Sequence, residues 1–256
     1  MFPKYIAEVS SNHGQDLDRV LEFIDTSADI GCDAVKFQLF RVETLFSAHT
    51  IETLPSVMER KKWELPLEFL PEIKKRCIKR NIQFGCTPFY LEAVEELAEY
   101  VDFYKIASYE LLWLDLIAKC AQMPQPLIIS TGMANMEEIR RASDTVKKFK
   151  KNDVAFLHCE SSYPVKLEET NLSSIGYLKE QLGCITGWSD HSRDLAVIMR
   201  AALKWNAEIF EFHIDLDSNG AEYGTGHCWL PDELAKAITL IERGRLADGL
   251  SGKFPG

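Results

Sequence analysis

No apolar run in this sequence approaches the ~18 residues that a membrane-spanning helix needs. No basic run stands out either, and with 39 acidic against 29 basic residues the formal net charge is −10. Nucleic acid and anionic membrane surfaces are therefore not expected partners. A small anion remains compatible, because one local pocket can be positive on an acidic protein. The seven cysteines (Cys32, Cys77, Cys86, Cys120, Cys159, Cys184 and Cys228) form no C-x-x-C pair. Their odd number and wide spacing argue against a disulfide framework or a zinc ribbon, and for reduced thiols in a cytoplasmic compartment. The first residues, M-F-P-K-Y-I-A-E-V-S, lack the build of a secretory signal and lead almost at once into a strand pattern. There is no low-complexity segment, no internal repeat and no linker, and no G-x-G-x-x-G follows the first strand pattern.

What is present is an alternation of strand and helix patterns along 256 residues. Strand patterns fall at Y5–S10, A34–F40, I82–T87, F103–S108, L127–T131, V154–C159, C184–S189 and I209–H213. Helical spacing follows each in turn, over about 16–30, 67–80, 91–100, 111–121, 136–150, 171–182, 194–205 and 232–244, with a long loop after the second strand. A loop-like tail, G-L-S-G-K-F-P-G, ends the sequence. Eight strand–helix units in a chain of this length predict an α/β protein, a single-domain (β/α)8 TIM barrel over residues 1–256. The alternative is an open doubly wound sheet, which loses its usual dinucleotide support without the glycine motif.

A barrel enzyme works at the C-terminal ends of its strands. Each strand pattern carries polar residues there, including Glu8, Lys36 with Gln38, Thr87, Lys105 with Ser108 and Glu110, Ser130, Ser161 with Tyr163, Ser189, and Glu211 with His213. Strands become polar as they meet solvent, which accounts for serine and threonine. It accounts poorly for Lys36 and Lys105, which lie between apolar neighbours and need anionic partners. Glu8 is one candidate partner, and an anionic ligand is another. Two lysines with Thr87, Ser108, Ser130 and Ser189 resemble a phosphate or carboxylate pocket, and Gly132 lets the chain approach a ligand closely.

His191 and His213 belong to adjacent strands, so a barrel brings them together as candidate metal ligands, with Glu211, Asp190 or Asp215 assisting. Either alone reads more simply as a satisfied core or rim histidine. His13 and His158 read as hydrogen-bonding residues, whereas His49 and His227 lie in loops and carry no signal by themselves.

The ordered stretches A7-E-V-S-S-N-H-G14, A34-V-K-F-Q38, C86-T-P-F89, Y104-K-I-A-S-Y-E110, S130-T-G-M133, L157-H-C159 with Y163-P164, S189-D-H191 and F212-H213 resemble the sialic acid synthase family over nearly the whole chain. The resemblance implies a (β/α)8 barrel that condenses phosphoenolpyruvate with an N-acetylated hexosamine such as N-acetylmannosamine, giving a nonulosonic acid and phosphate. It implies a divalent metal, Mn2+ or Mg2+, on His191 and His213. Lys36, Thr87, Lys105, Ser108, Ser130 and Ser189 match positions that hold phosphoenolpyruvate, and Gln38, Glu110 and Tyr163 match the sugar side. Glu8 matches the catalytic carboxylate, with Lys36 and Lys105 completing the catalytic set.

Several features depart from the pattern. Ser161 stands where many members carry asparagine, and Glu222 takes the place of a sugar-binding aspartate in a loop that departs from the usual pattern. Few residues precede the first strand, where members often have a segment that plugs the barrel floor. Members usually also continue into a C-terminal antifreeze-like domain whose arginine reaches a partner subunit's sugar, and the sequence ends at Gly256. A homo-oligomer or a separate partner domain is left open. A related synthase acting on another sugar aldehyde, and an idle barrel that binds a sugar or a partner, are the alternatives; the joint presence of Glu8, Lys36, Lys105, His191 and His213 speaks against the idle one.

Overall fold

The computed structural model describes residues 1–149, 154–220 and 222–249. Its eight strands are β1 (Tyr5–Glu8), β2 (Ala34–Leu39), β3 (Gln83–Pro88), β4 (Phe103–Ile106), β5 (Leu127–Ser130), β6 (Val154–His158), β7 (Ile185–Asp190) and β8 (Ile209–His213). They pair in parallel, in sequence order, and β1 pairs with β8 through Glu8 and His213. That last pairing closes the barrel and excludes the open doubly wound sheet.

The outer helices are α1 (Leu17–Asp29), α2 (Leu70–Arg80), α3 (Ala93–Leu97), α4 (Leu114–Gln122), α5 (Met136–Lys147), α6 (Ser173–Leu182), α7 (Leu195–Leu203) and α8 (Pro231–Asp248). Their ends follow local chemistry. Asp16 caps α1 by accepting from the backbone N–H groups of Asp18 and Arg19. Asn135 and Glu138 form a reciprocal capping box at α5. Asn81 closes α2 in the left-handed conformation. The helix expected over 111–121 begins only at Leu114, because Ser108–Glu110 winds into a 3-10 turn at the barrel mouth. The long loop after β2 is itself wound, with short helices at Val42–Leu45 and Ala48–Thr53 and a 3-10 segment at Pro55–Trp63. The tail from residue 250 lies outside the described residues.

Side chains alternate across each strand, so one set faces the helices and the other faces the barrel axis. Phe210 and Phe212 of β8 join the outer core with Phe37, Phe84 and Trp188. The inward set changes character along the axis. At the floor, Ile6, Ala34, Phe103, Ile128, Ala155, Leu157 and Ile209 form a separate apolar cluster, and Phe2 packs against it from below. Phe103 fills the space left by Gly85, where a Cβ would overlap its ring. Two residues further along, the inward positions are Glu8, Lys36, Lys105, Ser130, Ser189 and Glu211. The dry floor thus sets those polar groups at a fixed depth in the C-terminal mouth.

Candidate active site

The mouth contains a cavity of about 740 Å³, within the range of small-ligand sites. Its base carries two buried ammonium groups. Lys36 Nζ lies 2.6 Å from Glu8 Oε2 and donates to Thr87 Oγ1 at 3.0 Å. Lys105 Nζ donates to Ser130 Oγ at 2.6 Å and to the Ile106 carbonyl at 3.0 Å, and lies 3.7 Å from Glu211 Oε2. Glu8 Oε1 also accepts from Gln38 Nε2 at 2.6 Å, and Glu211 Oε1 from Ser189 Oγ at 3.3 Å.

The two lysines differ electrostatically. Burial disfavours both charges, but the carboxylates of Glu8 and Glu211 outweigh it at Lys36 and raise its pKa. At Lys105 burial prevails and the pKa falls, because Glu211 is further off and the Lys36 charge opposes it. Glu211 is lowered despite its burial, since Lys105 and Lys36 together favour the carboxylate. The base therefore sets two buried ammonium groups against two buried carboxylates, with Lys105 the less compensated cation and the one an added anion would meet with little screening.

The opposite wall is built by histidines. His191 Nδ1 lies 2.7 Å from the Glu160 carbonyl. A carbonyl only accepts, so Nδ1 carries the proton and Nε2 keeps its lone pair. Burial, reinforced by the neighbouring His213 and His227, lowers the His191 pKa to about 3 and keeps the ring neutral. The His191 and His213 ring centroids are 5.3 Å apart, and those of His213 and His227 are 4.6 Å apart. Tyr163 packs 4.2 Å from the His191 ring, between this wall and solvent.

Gln38, Ser108 and Glu110 line the same cavity. Glu110 Oε2 is buried without a hydrogen-bond partner, and burial raises its pKa to about 7 against the opposing pull of Lys105. Two expected ligand contacts sit behind the wall instead. Thr87 does not reach the cavity but serves as acceptor for Lys36. Ser161 also stands outside it, with a buried, unpartnered hydroxyl packed against Gly132. The close approach at Gly132 is thus to Ser161, Ser108 and Cys159 within the protein.

The aspartates considered as metal helpers are used elsewhere. Asp190 accepts from the indoles of Trp188 at 2.9 Å and Trp229 at 2.8 Å, and from Ser192 and Arg193. Asp215 is paired with Arg19 at 2.6 Å. His158 Nε2 meets the Thr170 carbonyl at 3.0 Å and His13 Nδ1 accepts from the Gln15 amide, which is the hydrogen-bonding role expected of both.

The NeuB family model matches residues 23–253. The chain belongs to the NeuB family. It is 33% identical to the N,N'-diacetyllegionaminic acid synthase of Campylobacter jejuni, over 95% of this chain and 77% of that protein. It is 32% identical to the pseudaminic acid synthase of Helicobacter pylori, over 85% of this chain and 67% of that one. The crystal structure of an N-acetylneuraminic acid synthetase from Leptospira borgpetersenii superposes with a TM-score of 0.88 at 33% identity, covering 99% of this chain and 87% of the other. This NeuB-family chain is accordingly an enzyme, a synthase of the C–C bond-forming transferase type. No helix among the described residues is long and apolar enough to cross a membrane.

Two lining residues of this NeuB-family site carried no sequence signal. His227 follows β8 in an irregular loop, where no periodicity assigns it a face. Arg60 reaches the cavity from the wound β2–α2 loop, with its guanidinium 5.3 Å from the Phe46 ring and 5.6 Å from that of Trp63. Glu222, expected on the sugar side, lines the cavity, and its carboxylate is also engaged within the protein. It accepts from the hydroxyls of Ser10 and Ser11 and sits 3.1 Å from His213 Nδ1.

Proposed function

We propose that this chain condenses phosphoenolpyruvate with the aldehyde of an open-chain N-acylated amino sugar, releasing inorganic phosphate and a nonulosonic acid. One observation carries the reading: two buried lysines with partner hydroxyls form the base of a cavity whose opposite wall is a cluster of neutral-capable imidazoles. The lysine end suits the phosphate and carboxylate of the enol ester. The histidine end suits a carbonyl and a divalent cation.

The residues present fit such a cation. The His191 and His213 rings stand 5.3 Å apart on one wall of the cavity, and His191, with Nδ1 on the Glu160 carbonyl, keeps an Nε2 lone pair free. We assign the metal to His191 and His213, with Mn2+ or Mg2+ as the ion. When bound, the cation supplies Lewis-acid polarisation of the sugar carbonyl oxygen.

The chain's own residues do the rest. Lys36 and Lys105 hold phosphate and carboxylate so that C3 of the enol ester faces the aldehyde carbon, which is chiefly positioning. Ser130 and Ser189 add directional donors near those lysines. A new C–C bond forms as the enol π pair attacks the aldehyde carbon, the carbonyl π pair moves to oxygen, which takes up a proton from solvent and becomes a hydroxyl, and positive charge develops at C2. Glu8, held by Lys36 and Gln38, stabilises that charge and accepts the proton of the water that adds at C2. Phosphate then leaves with the C2–O bond pair, and the C2 hydroxyl gives up its proton as the ketone forms. Gln38, Glu110 and Tyr163 face the sugar.

The decisive experiment follows phosphate release with manganese, phosphoenolpyruvate and a panel of N-acylated hexosamines. Release with one or more sugars is expected. Failure to bind phosphoenolpyruvate by calorimetry would refute the reading outright. Binding without turnover on any sugar would point to a missing partner domain.

A further inference from the structure

Glu222 lies on the loop after β8, half-buried against the β1–α1 loop, β8 and its own loop at once. Oε1 accepts from the hydroxyls of Ser10 and Ser11, the latter at 2.9 Å, and its backbone N–H donates to Asn12 Oδ1 at 3.1 Å. Oε2 faces His213 Nδ1 at 3.1 Å and His227 Nε2 at 3.6 Å. His227 is itself fixed, with Nδ1 2.6 Å from Thr225 Oγ1. The Thr225 hydroxyl in turn donates to the Glu222 carbonyl at 2.6 Å. The carboxylate therefore closes a small ring of contacts, and both of its oxygens are already engaged.

A carboxylate in this place could serve the wall in two ways. It could ligate a cation directly, as the proximity of His213, His227 and Cys228 to it suggests. That use would require it to give up several of its hydrogen bonds. It would also recruit Cys228, a fully buried thiol outside the cavity lining that receives Asn12 Nδ2 at 3.8 Å. The second use needs no rearrangement. An ionised carboxylate only accepts, so when the His213 ring facing it is neutral the proton stands on Nδ1 and Nε2 is bare. His191 is arranged the same way, with Nδ1 on the Glu160 carbonyl. Two imidazoles would then present Nε2 lone pairs to one cavity, each with its rear nitrogen tied to an acceptor, an arrangement that raises ligand basicity and fixes ring orientation.

We propose that Glu222 is the positioning residue of His213: a carboxylate–histidine couple that sets its tautomer and rotamer for metal binding, steadied by the serine pair of the β1–α1 loop, and not a contact to the sugar. This rests on the assignment of the metal to His191 and His213 made above. The loop segment Glu222–His227 thereby tunes cation affinity without touching the cation.

The test measures Mn2+ affinity through the electron paramagnetic resonance signal of the free ion, in the unaltered protein and in Glu222→Gln, Glu222→Asp, His191→Gln and His213→Gln. The two histidine variants are expected to lose the site. Glu222→Gln is expected to keep one site with affinity about 10–100-fold weaker. Glu222→Asp, which keeps the charge but withdraws it by one methylene, is expected to weaken similarly. A change below about twofold in both, or a loss as complete as that of His213→Gln, would overturn the proposal; the latter would make Glu222 a ligand. Intact binding in the His191 and His213 variants would instead overturn the metal assignment. A second readout is independent of metal loading and of any variant: the nitrogen-15 shifts of His213 in the metal-free protein, at a pH where the ring is neutral. A proton on Nδ1 is expected, and one on Nε2 would sink the couple.

Discussion

Lys36 and Glu8 face one another from neighbouring strands at 2.6 Å, both buried beneath the cavity, in register through the β1–β2 ladder. Each neutralises the other, so removal of one leaves a buried charge alone. Lys36→Met and Glu8→Gln should each lower unfolding free energy by about 3–5 kcal/mol, the usual cost of breaking a buried pair. The double variant should lose much less than the sum. Urea unfolding of the four proteins checks this, and additive losses would show that the pair is not coupled.

Lys105 is the less compensated cation, and its charge is the one most available to an incoming anion. Lys105→Met should weaken phosphoenolpyruvate binding by the worth of a charge-assisted hydrogen bond, about 1.5–3 kcal/mol. Isothermal calorimetry with phosphoenolpyruvate, without sugar, reads this directly. Unchanged affinity would place the anion elsewhere.

His213 closes the barrel beside Glu8 and stands on the imidazole wall. His213→Ala should abolish both bound metal and turnover while the circular dichroism spectrum is kept. Manganese should raise the melting temperature of the unaltered protein and leave that of the variant unmoved, because only a binding-competent native state gains from the ion. Activity that persists after exhaustive chelation would refute the metal assignment.

Glu110 has a pKa raised to about 7, chiefly by burial. Its native state therefore holds the proton more tightly than the unfolded chain, whose carboxyl titrates near the ordinary value of 4.5. The resulting stability is fully present below the unfolded value and is lost as pH rises towards 7. Glu110→Gln cannot ionise, so its melting temperature should decline less than that of the unaltered protein over that window. Parallel melting curves would show that Glu110 does not titrate there.

Arg60 reaches the mouth of the cavity from a loop braced by aromatic rings. On the proposed function, in which the lysines at the base hold phosphoenolpyruvate, Arg60 is the cation at the mouth left to meet the polar groups of the sugar. Arg60→Ala should raise the KM for the sugar by about tenfold or more, the scale of a hydrogen bond to a charged group, with phosphoenolpyruvate affinity unchanged. Steady-state kinetics varying each substrate in turn separates the two effects.

The β8 stretch I209-F-E-F-H213 shows how far the sequence could be read. Its alternation, with two phenylalanines among charged residues, already required two faces, and the structure puts Phe210 and Phe212 against the helices and Glu211 and His213 in the cavity. The buried lysines were legible for a similar reason, since an ammonium between apolar strand neighbours demands a counter-charge. The loop residues were not legible. His227 and Arg60 sit in segments without period, where spacing assigns no face, and Glu222, in the same kind of segment, was reached only through the family resemblance.

Strand alternation and burial are local rules, so the eightfold strand–helix rhythm, the polar strand ends and the lysine and histidine positions could be read along the chain. The meeting of β1 with β8, the pairing of Lys36 with Glu8 and of Lys105 with Glu211, and the turn of Glu222 towards His213 came from the folded chain. Those outcomes depend on barrel closure and loop path, which bring together residues more than two hundred positions apart, such as Ser10 and Glu222. Short-range preferences carry no information about such distances.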